Sequence, residues 1–244
     1  MDKYIKFSAD TNSFQMIDYK LEAAKASLKF IKTGQVIGLG AGSTIVHLVN
    51  LISEEEKMAA SLTFVSSSFK TRAYLQEKGL KIEFSALLER VDIYFDGCDQ
   101  FDPALNALKS GGGIHTSEKI LASMADEFIL IGDESKMVKK LDHTYPLVIE
   151  ILPEALQVVL GQIKTRYPEA SVQLRMSSQK DGALISDHGN LLADIYFTAL
   201  PGLSELNIAV KMIPGVVEHS LFYGLASKAV IAGKNGTKVM VAAL

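Results

Sequence analysis

The chain has one cysteine, Cys98, among its 244 residues, so no disulfide can form within it. No apolar run reaches the roughly 18 residues needed to span a bilayer. Residues 1–15, MDKYIKFSADTNSFQ, lack the apolar core of a secretory signal and read as a loose polar extension. The net charge is −3, with no basic stripe or tail, which removes the electrostatic support that nucleic-acid binding needs. The histidines, His47, His115, His143, His188 and His219, show no metal-ligand spacing. No Ser-His-Asp arrangement, internal repeat or low-complexity tract is evident. The expectation is a cytoplasmic protein with neither a membrane nor a nucleic acid as partner.

What the chain does contain is alternating helix and strand. Ile17, Leu21, Ala24, Leu28 and Ile31 recur at a helical period that closes at Thr33-Gly34. VIGLG, LTFVSSS, VDIYF and FILIG read as strands, with helical stretches IVHLVNLI and FKTRAYLQEKGL between the first three. This pattern predicts an α/β fold, a Rossmann-like and mainly parallel sheet with helices on both faces. Right-handed crossovers place the polar ends GAGST, SSS, DGCD and GDESK on one sheet edge, where such folds bind ligands. From about residue 143 the pattern changes to strand, helix, strand, turn, strand. The expected organisation is an α/β domain over 16–142 and 213–244, with a small α+β subdomain over 143–212.

Gly38, Gly40 and Gly42 lie between a strand and a helix, followed by Ser43 and Thr44. Free N–H groups at a helix start suit an anion such as phosphate. The glycine spacing and the serines ending the next strand disfavour a dinucleotide, and the missing Gly-Lys-Ser/Thr disfavours ATP. The alternative is a tight turn with Ser43 as N-cap.

The stretch from Phe95 to Lys119, FDGCDQFDPALNALKSGGGIHTSEK, concentrates acids, a lysine and glycines at that same edge. Asp96 and Asp99 can accept sugar hydroxyls or bind backbone N–H groups. Lys109, before Ser110 and Gly111-Gly112-Gly113, can stabilise an oxyanion or stand as a surface charge. Glu118 can serve as general base or complement the helix dipole, which would lower its pKa unless burial offsets it. Lys136 falls on the same edge, and Cys98 reads as a small structural residue.

These residues together resemble ribose-5-phosphate isomerase, type A, over nearly the whole chain from about Tyr19. GLGAGST is similar to the family's GxGTGST, and DGCDQFDPALNALKSGGGIHTSEK to its DGADE, KGGGG and REK signature. GDESK, DHGN and PGVVEHSLF also have counterparts, and the separations agree: 13 residues from Asp96 to Lys109, then 9 to Glu118. The resemblance implies an aldose–ketose isomerase that interconverts ribose 5-phosphate and ribulose 5-phosphate. It implies that Glu118 moves the proton between C1 and C2. Asp96 and Asp99 would hold hydroxyls and assist ring opening, and Lys109 would stabilise the enediolate. Ala41, Gly42, Ser43 and Thr44, with Lys20 and Lys136, would hold the phosphate. Gly97, Cys98, Ser110, Gly111 and Gly112 would complete the substrate pocket. It further implies a homodimer or homotetramer that needs no metal and no cofactor.

Four positions depart from the family pattern: Ala41, Gln100, Ser110 and Ser117 stand where threonine, glutamate, glycine and arginine are usual. They leave two alternatives: a non-catalytic sugar-phosphate-binding paralogue, or an isomerase of another phosphosugar. No stretch before Met16 reads as a DNA-binding segment of the kind that sugar-phosphate sensors carry.

Overall fold

Asp18 starts the first helix by accepting hydrogen bonds from the N–H groups of Lys20 and Leu21 at 3.0 and 3.3 Å. The fold is seen in a computed structural model that describes residues 17–242. The expected extension over residues 1–15 lies outside them. In order, the first half contains α1 (Tyr19–Ser27), β1 (Val36–Leu39), α2 (Ser43–Glu54), α3 (Glu56–Ser61), β2 (Thr63–Ser66), α4 (Phe69–Glu77) and β3 (Val91–Asp96). It continues with the short strands β4 (Gln100–Phe101) and β5 (Ala107–Leu108), then α5 (His115–Met124) and β6 (Ala125–Asp133). The second half contains β7 (Leu147–Ile151), α6 (Leu156–Arg166), β8 (Ser171–Leu174), β9 (Leu191–Tyr196), α7 (Leu203–Lys211) and β10 (Val216–His219). It closes with β11 (Leu221–Phe222), β12 (Lys228–Gly233) and β13 (Gly236–Val241).

The main sheet has the order β13-β12-β6-β3-β1-β2, parallel except for the hairpin partner β13. Its strands are apolar on both faces, as a sheet covered on both sides requires. Ile37, Leu39, Phe64, Ile93, Phe95, Ile129 and Val230 pack with residues of α1, α2 and α4. The alternate residues Val65, Tyr94, Phe128, Leu130 and Ile231 pack with Leu121 and Ala122 of α5. The chain moves from β1 out to β2 and returns across β1 to β3. The strand order therefore reverses at the β1/β3 crevice, where the carboxyl ends leave room for a ligand.

A second, antiparallel sheet has the order β10-β7-β9-β8. Ile149, Ile151, Ala193 and Ile195 pack there against Val159 and Ile163 of α6 and Leu206 and Val210 of α7. Strand β10 lies beyond the boundary expected at residue 212, and it pairs with β7 in this sheet. Helix α7 was not read from the sequence, although Pro201-Gly202 and the i, i+4 pair Leu206 and Val210 mark it. A third sheet, β11-β5-β4, bridges the two units.

Candidate active site

The polar stretch after β3 is more ordered than its sequence suggests. Strands β4 and β5 form a hairpin in which Gln100 faces Leu108 and Phe101 faces Ala107. That pairing sets Asp99 beside Lys109 and Ser110, ten and eleven positions away in sequence. Two-residue strands carry too few positions to show a period of two, so no pattern announced them. The hairpin is held by Asp102, which accepts hydrogen bonds from the backbone and side-chain amides of Asn106 at 3.0 Å each.

Asp96 ends β3 inside the crevice, 1% exposed. Its Oδ1 accepts the N–H groups of Ala41 and Gly97 at 3.2 and 2.8 Å. Its Oδ2 accepts the Tyr94 hydroxyl at 2.5 Å and lies 2.8 Å from Lys109 Nζ. The backbone-binding reading of this acid holds for Oδ1, which ties two loops together, while Oδ2 meets the lysine and the Tyr94 hydroxyl. Gly40 permits this approach, because a Cβ there would lie 1.9 Å from the Asp96 carboxyl carbon.

Lys109 also lies 3.3 Å from Glu118 Oε1 and donates to the Gly97 carbonyl. Burial disfavours its charge, but Asp96 and Glu118 outweigh that and raise its pKa. Burial is the largest influence on Glu118 and pushes its pKa up to about 8, against the pull of Lys109. Glu118 sits in the first turn of α5, where the helix dipole alone would lower it. Asp99 accepts the N–H groups of Ser110 and Gly111 on Oδ2 at 2.5 and 3.1 Å.

Together these residues line a cavity of about 320 Å³. Its walls include Lys20, Ala41, Gly42, Ser43, Thr44, Asp96, Gly97, Cys98, Asp99, Lys109, Gly111, Gly112, Glu118 and Lys136. Ile131, Gly132 and Asp133 at the end of β6 also line it and were missed in the sequence reading. The signal for them was available, since GDESK falls on the same edge. Among the expected site residues, Ser110 does not line the cavity; its hydroxyl donates to the Pro146 carbonyl at 2.6 Å. The N-cap of α2 is Gly42, not Ser43, and it makes no side-chain cap. The hydroxyl of Ser43 is thus not the cap the alternative reading required. The Cys98 thiol is pushed up to about 12, chiefly by burial, so it stays protonated at neutral pH.

Of the other departures, Gln100 and Ser117 likewise do not line the cavity, whereas Ala41 does. Gln100 Nε2 donates to the Asp142 carbonyl and carboxylate at 3.0 and 3.2 Å, and its Oε1 accepts the Asp142 N–H at 3.1 Å. Ser117 lies 3.2 Å from His188 Nε2 on the small unit. Ala41 contributes its backbone N–H to Asp96. Among the described residues, no group of three or more His, Cys, Asp or Glu is arranged to hold a metal ion, and no helix is long and apolar enough to cross a membrane.

This fold and cavity define an α/β protein with a buried carboxylate–lysine–carboxylate set at the carboxyl edge of a parallel sheet, an arrangement suited to proton transfer. The model of ribose 5-phosphate isomerase A (phosphoriboisomerase A) matches residues 63–236. Ribose-5-phosphate isomerase A of Rhodopseudomonas palustris is 37% identical over 226 residues, covering 91% of this chain and 97% of that protein. The Thermosynechococcus vestitus protein of the same name is 36% identical over 209 residues, covering 85% and 88%. The solved ribose 5-phosphate isomerase A of Methanocaldococcus jannaschii superposes with a TM-score of 0.84 at 34% identity, covering 92% of this chain and 98% of that one. A solved D-ribose-5-phosphate isomerase in complex with phospho-erythronic acid gives 0.85 at 32% identity, covering 91% and 97%. The chain belongs to the ribose 5-phosphate isomerase A family.

Proposed function

We infer that this chain interconverts D-ribose 5-phosphate and D-ribulose 5-phosphate by proton transfer through an enediolate. The single observation that carries this reading is the buried Glu118 in the cavity wall, its Oε1 paired with Lys109 Nζ at 3.3 Å; burial raises its pKa to about 8. A carboxylate poised near neutrality is suited to take a weakly acidic carbon-bound proton. The oxygen that gains charge as the proton leaves needs a donor already in place, and Lys109 supplies a cation fixed by Asp96.

In this reading Glu118 removes the C2 proton of the open-chain aldose, and the C2–H electron pair becomes the C1–C2 double bond. The C1 carbonyl oxygen takes the charge and is stabilised by Lys109. Glu118 then returns the proton to C1 while the C2 hydroxyl proton passes to the C1 oxygen, so that the carbonyl forms at C2 and a hydroxyl at C1. Asp96 keeps Lys109 charged and in place, and Asp99 Oδ1 accepts a sugar hydroxyl. The first turn of α2, with Lys20 and Lys136, holds the phosphate; uncapped N–H groups and two cations suit a dianion. Anchoring the phosphate fixes the reacting carbons against the base. The relative bound to phospho-erythronic acid supports a phosphorylated polyhydroxy ligand for this cavity.

We further propose a catalytic α/β unit and a small α+β unit, with the second boundary moved from residue 212 to about 219 so that β10 stays with its sheet. The expectation of a cytoplasmic homodimer or homotetramer rests on the family resemblance and the lone cysteine. The test is a coupled assay of purified protein with ribose 5-phosphate and a panel of other aldose phosphates, without added metal. Turnover of ribose 5-phosphate above the others is expected. Tight binding of pentose phosphate without turnover would instead favour a binding paralogue.

A further inference from the structure

Arg175 lies just past β8 on the small unit, outside the cavity, yet it reaches the glycine loop of the other unit. Asp194 on β9 grips it: Arg175 Nε donates to both carboxylate oxygens at 2.9 and 3.1 Å, and Nη2 donates to Oδ1 at 2.5 Å. The pair is largely buried, at 16% and 14% exposure. The remaining donors of the guanidinium point at backbone. Nη2 donates to the Ser110 carbonyl at 3.0 Å, and Nη1 lies 3.4 Å from the Gly111 carbonyl.

The same peptides are held from the opposite side by Asp99, which accepts the N–H groups of Ser110 and Gly111. The peptide joining Ser110 to Gly111 therefore has its C=O on a cation and its N–H on an anion. A planar trans peptide fixed at both ends cannot rotate without losing both bonds. Close packing continues at Gly113, whose φ is +68° and where a Cβ would come within 2.8 Å of Leu192 Cδ1. Only glycine accommodates both the left-handed backbone and that contact.

We propose that Arg175, locked by Asp194, is a positioning residue for the isomerisation: it sets the orientation of the 110–112 backbone and, through it, of Asp99. It rests on the proposed isomerase activity only for its kinetic consequence; the backbone it orients is testable without turnover. Lysine should not replace it, because one ammonium cannot hold a carboxylate and two carbonyls in a fixed fork. The phosphate loop lies on a different element, so the main anchor of the substrate is untouched when the 110–112 backbone moves.

The test compares Arg175→Ala, Arg175→Lys and Asp194→Asn with the wild type. In Arg175→Ala, kcat should fall by about tenfold to a hundredfold, as misplaced groups cost, while KM changes by less than about threefold because the phosphate anchor is intact. Guanidinium or ethylguanidinium ion should restore part of the lost kcat in Arg175→Ala and not in Arg175→Lys. Amide hydrogen exchange should speed up at residues 110–113 in all three variants. Asp194→Asn keeps the arginine and serves where Arg175→Ala does not fold. Unchanged exchange at 110–113 overturns the proposal whatever the activity. So does kcat within twofold of wild type in an active enzyme, or a loss without any rescue. A wild type inactive on every phosphosugar overturns the isomerase reading alone, and the exchange experiment still decides this one.

Discussion

Lys109 Nζ lies 2.8 Å from Asp96 Oδ2, with the lysine 6% and the aspartate 1% exposed. Neither charge could stay there alone, because removing one member of a buried pair leaves the other without water or partner. Lys109→Met should therefore cost about 3 kcal/mol of stability as well as activity. Denaturant unfolding measures the first and steady-state turnover the second. If the variant unfolds at wild-type denaturant concentration, the pair does not hold the crevice together. Asp96→Asn combined with Lys109→Met should recover part of the stability, since the neutral amide leaves no stranded carboxylate.

The pH dependence follows from Glu118. A base raised to about 8 is mostly protonated at pH 6, so kcat/KM should rise about tenfold per pH unit below that value and level off above it. Stability should run the other way. The folded state holds this proton more tightly than the unfolded chain, whose carboxyl titrates near 4.5. Its stabilising contribution is thus complete below 4.5 and lost as pH rises through 8. Glu118→Gln removes the titration, so its Tm should fall less than that of wild type between pH 5 and pH 9. Its turnover should be lost across the range. Parallel Tm curves for the two proteins would show that Glu118 titrates normally.

Gln100 explains one departure from the family pattern and predicts the effect of reversing it. Its amide, on a side chain only 2% exposed, donates to the exposed Asp142 and accepts from the Asp142 N–H. Gln100→Glu would set a carboxylate against the Asp142 carbonyl and carboxylate. The cost should be about 1–3 kcal/mol, that of leaving buried polar groups unpaired. Thermal unfolding should register it, with kcat on the folded fraction nearly unchanged because this side chain faces away from the cavity. A stabilised Gln100→Glu variant would contradict the pairing with Asp142.

The sheet was legible in the sequence because β1, β2, β3 and β6 are apolar runs with polar ends, and one edge collected those ends. The cavity was legible for the same reason, since the chemistry-bearing residues follow strand ends or open helices. The β4–β5 hairpin was not, because Gln100–Phe101 and Ala107–Leu108 owe their pairing to tertiary contacts such as Lys109 N–H to the Ser220 carbonyl at 3.0 Å. Arg175 was invisible too. Its partners lie 64 and 65 positions away at Gly111 and Ser110, and nothing local distinguishes it from any arginine after a strand.

Gly40 carries the last prediction. The β1/β3 crevice is the meeting of two backbones: Gly40 N–H donates to the Phe95 carbonyl at 2.9 Å, and the Gly40 carbonyl accepts the Thr71 hydroxyl at 2.8 Å. The Asp96 carboxyl fills the space that a side chain would need. In Gly40→Ala the new methyl would lie 1.9 Å from both the Asp96 carboxyl carbon and Oδ1. Asp96 cannot yield cheaply, because it holds Tyr94, Ala41, Gly97 and Lys109 at once. The clash must therefore displace the whole constellation or separate β1 from β3. The expected outcome is loss of soluble folded protein, or a folded variant with turnover reduced at least a hundredfold. Gly34→Ala is the control: it too replaces a glycine, at φ +80°, but meets no atom within 4 Å. It should cost only the strain of a left-handed alanine, about 1–2 kcal/mol, and keep its turnover. Circular dichroism and turnover on both variants separate the two costs, and a Gly40→Ala enzyme as active as Gly34→Ala would remove the close packing of Asp96 from the account of this site.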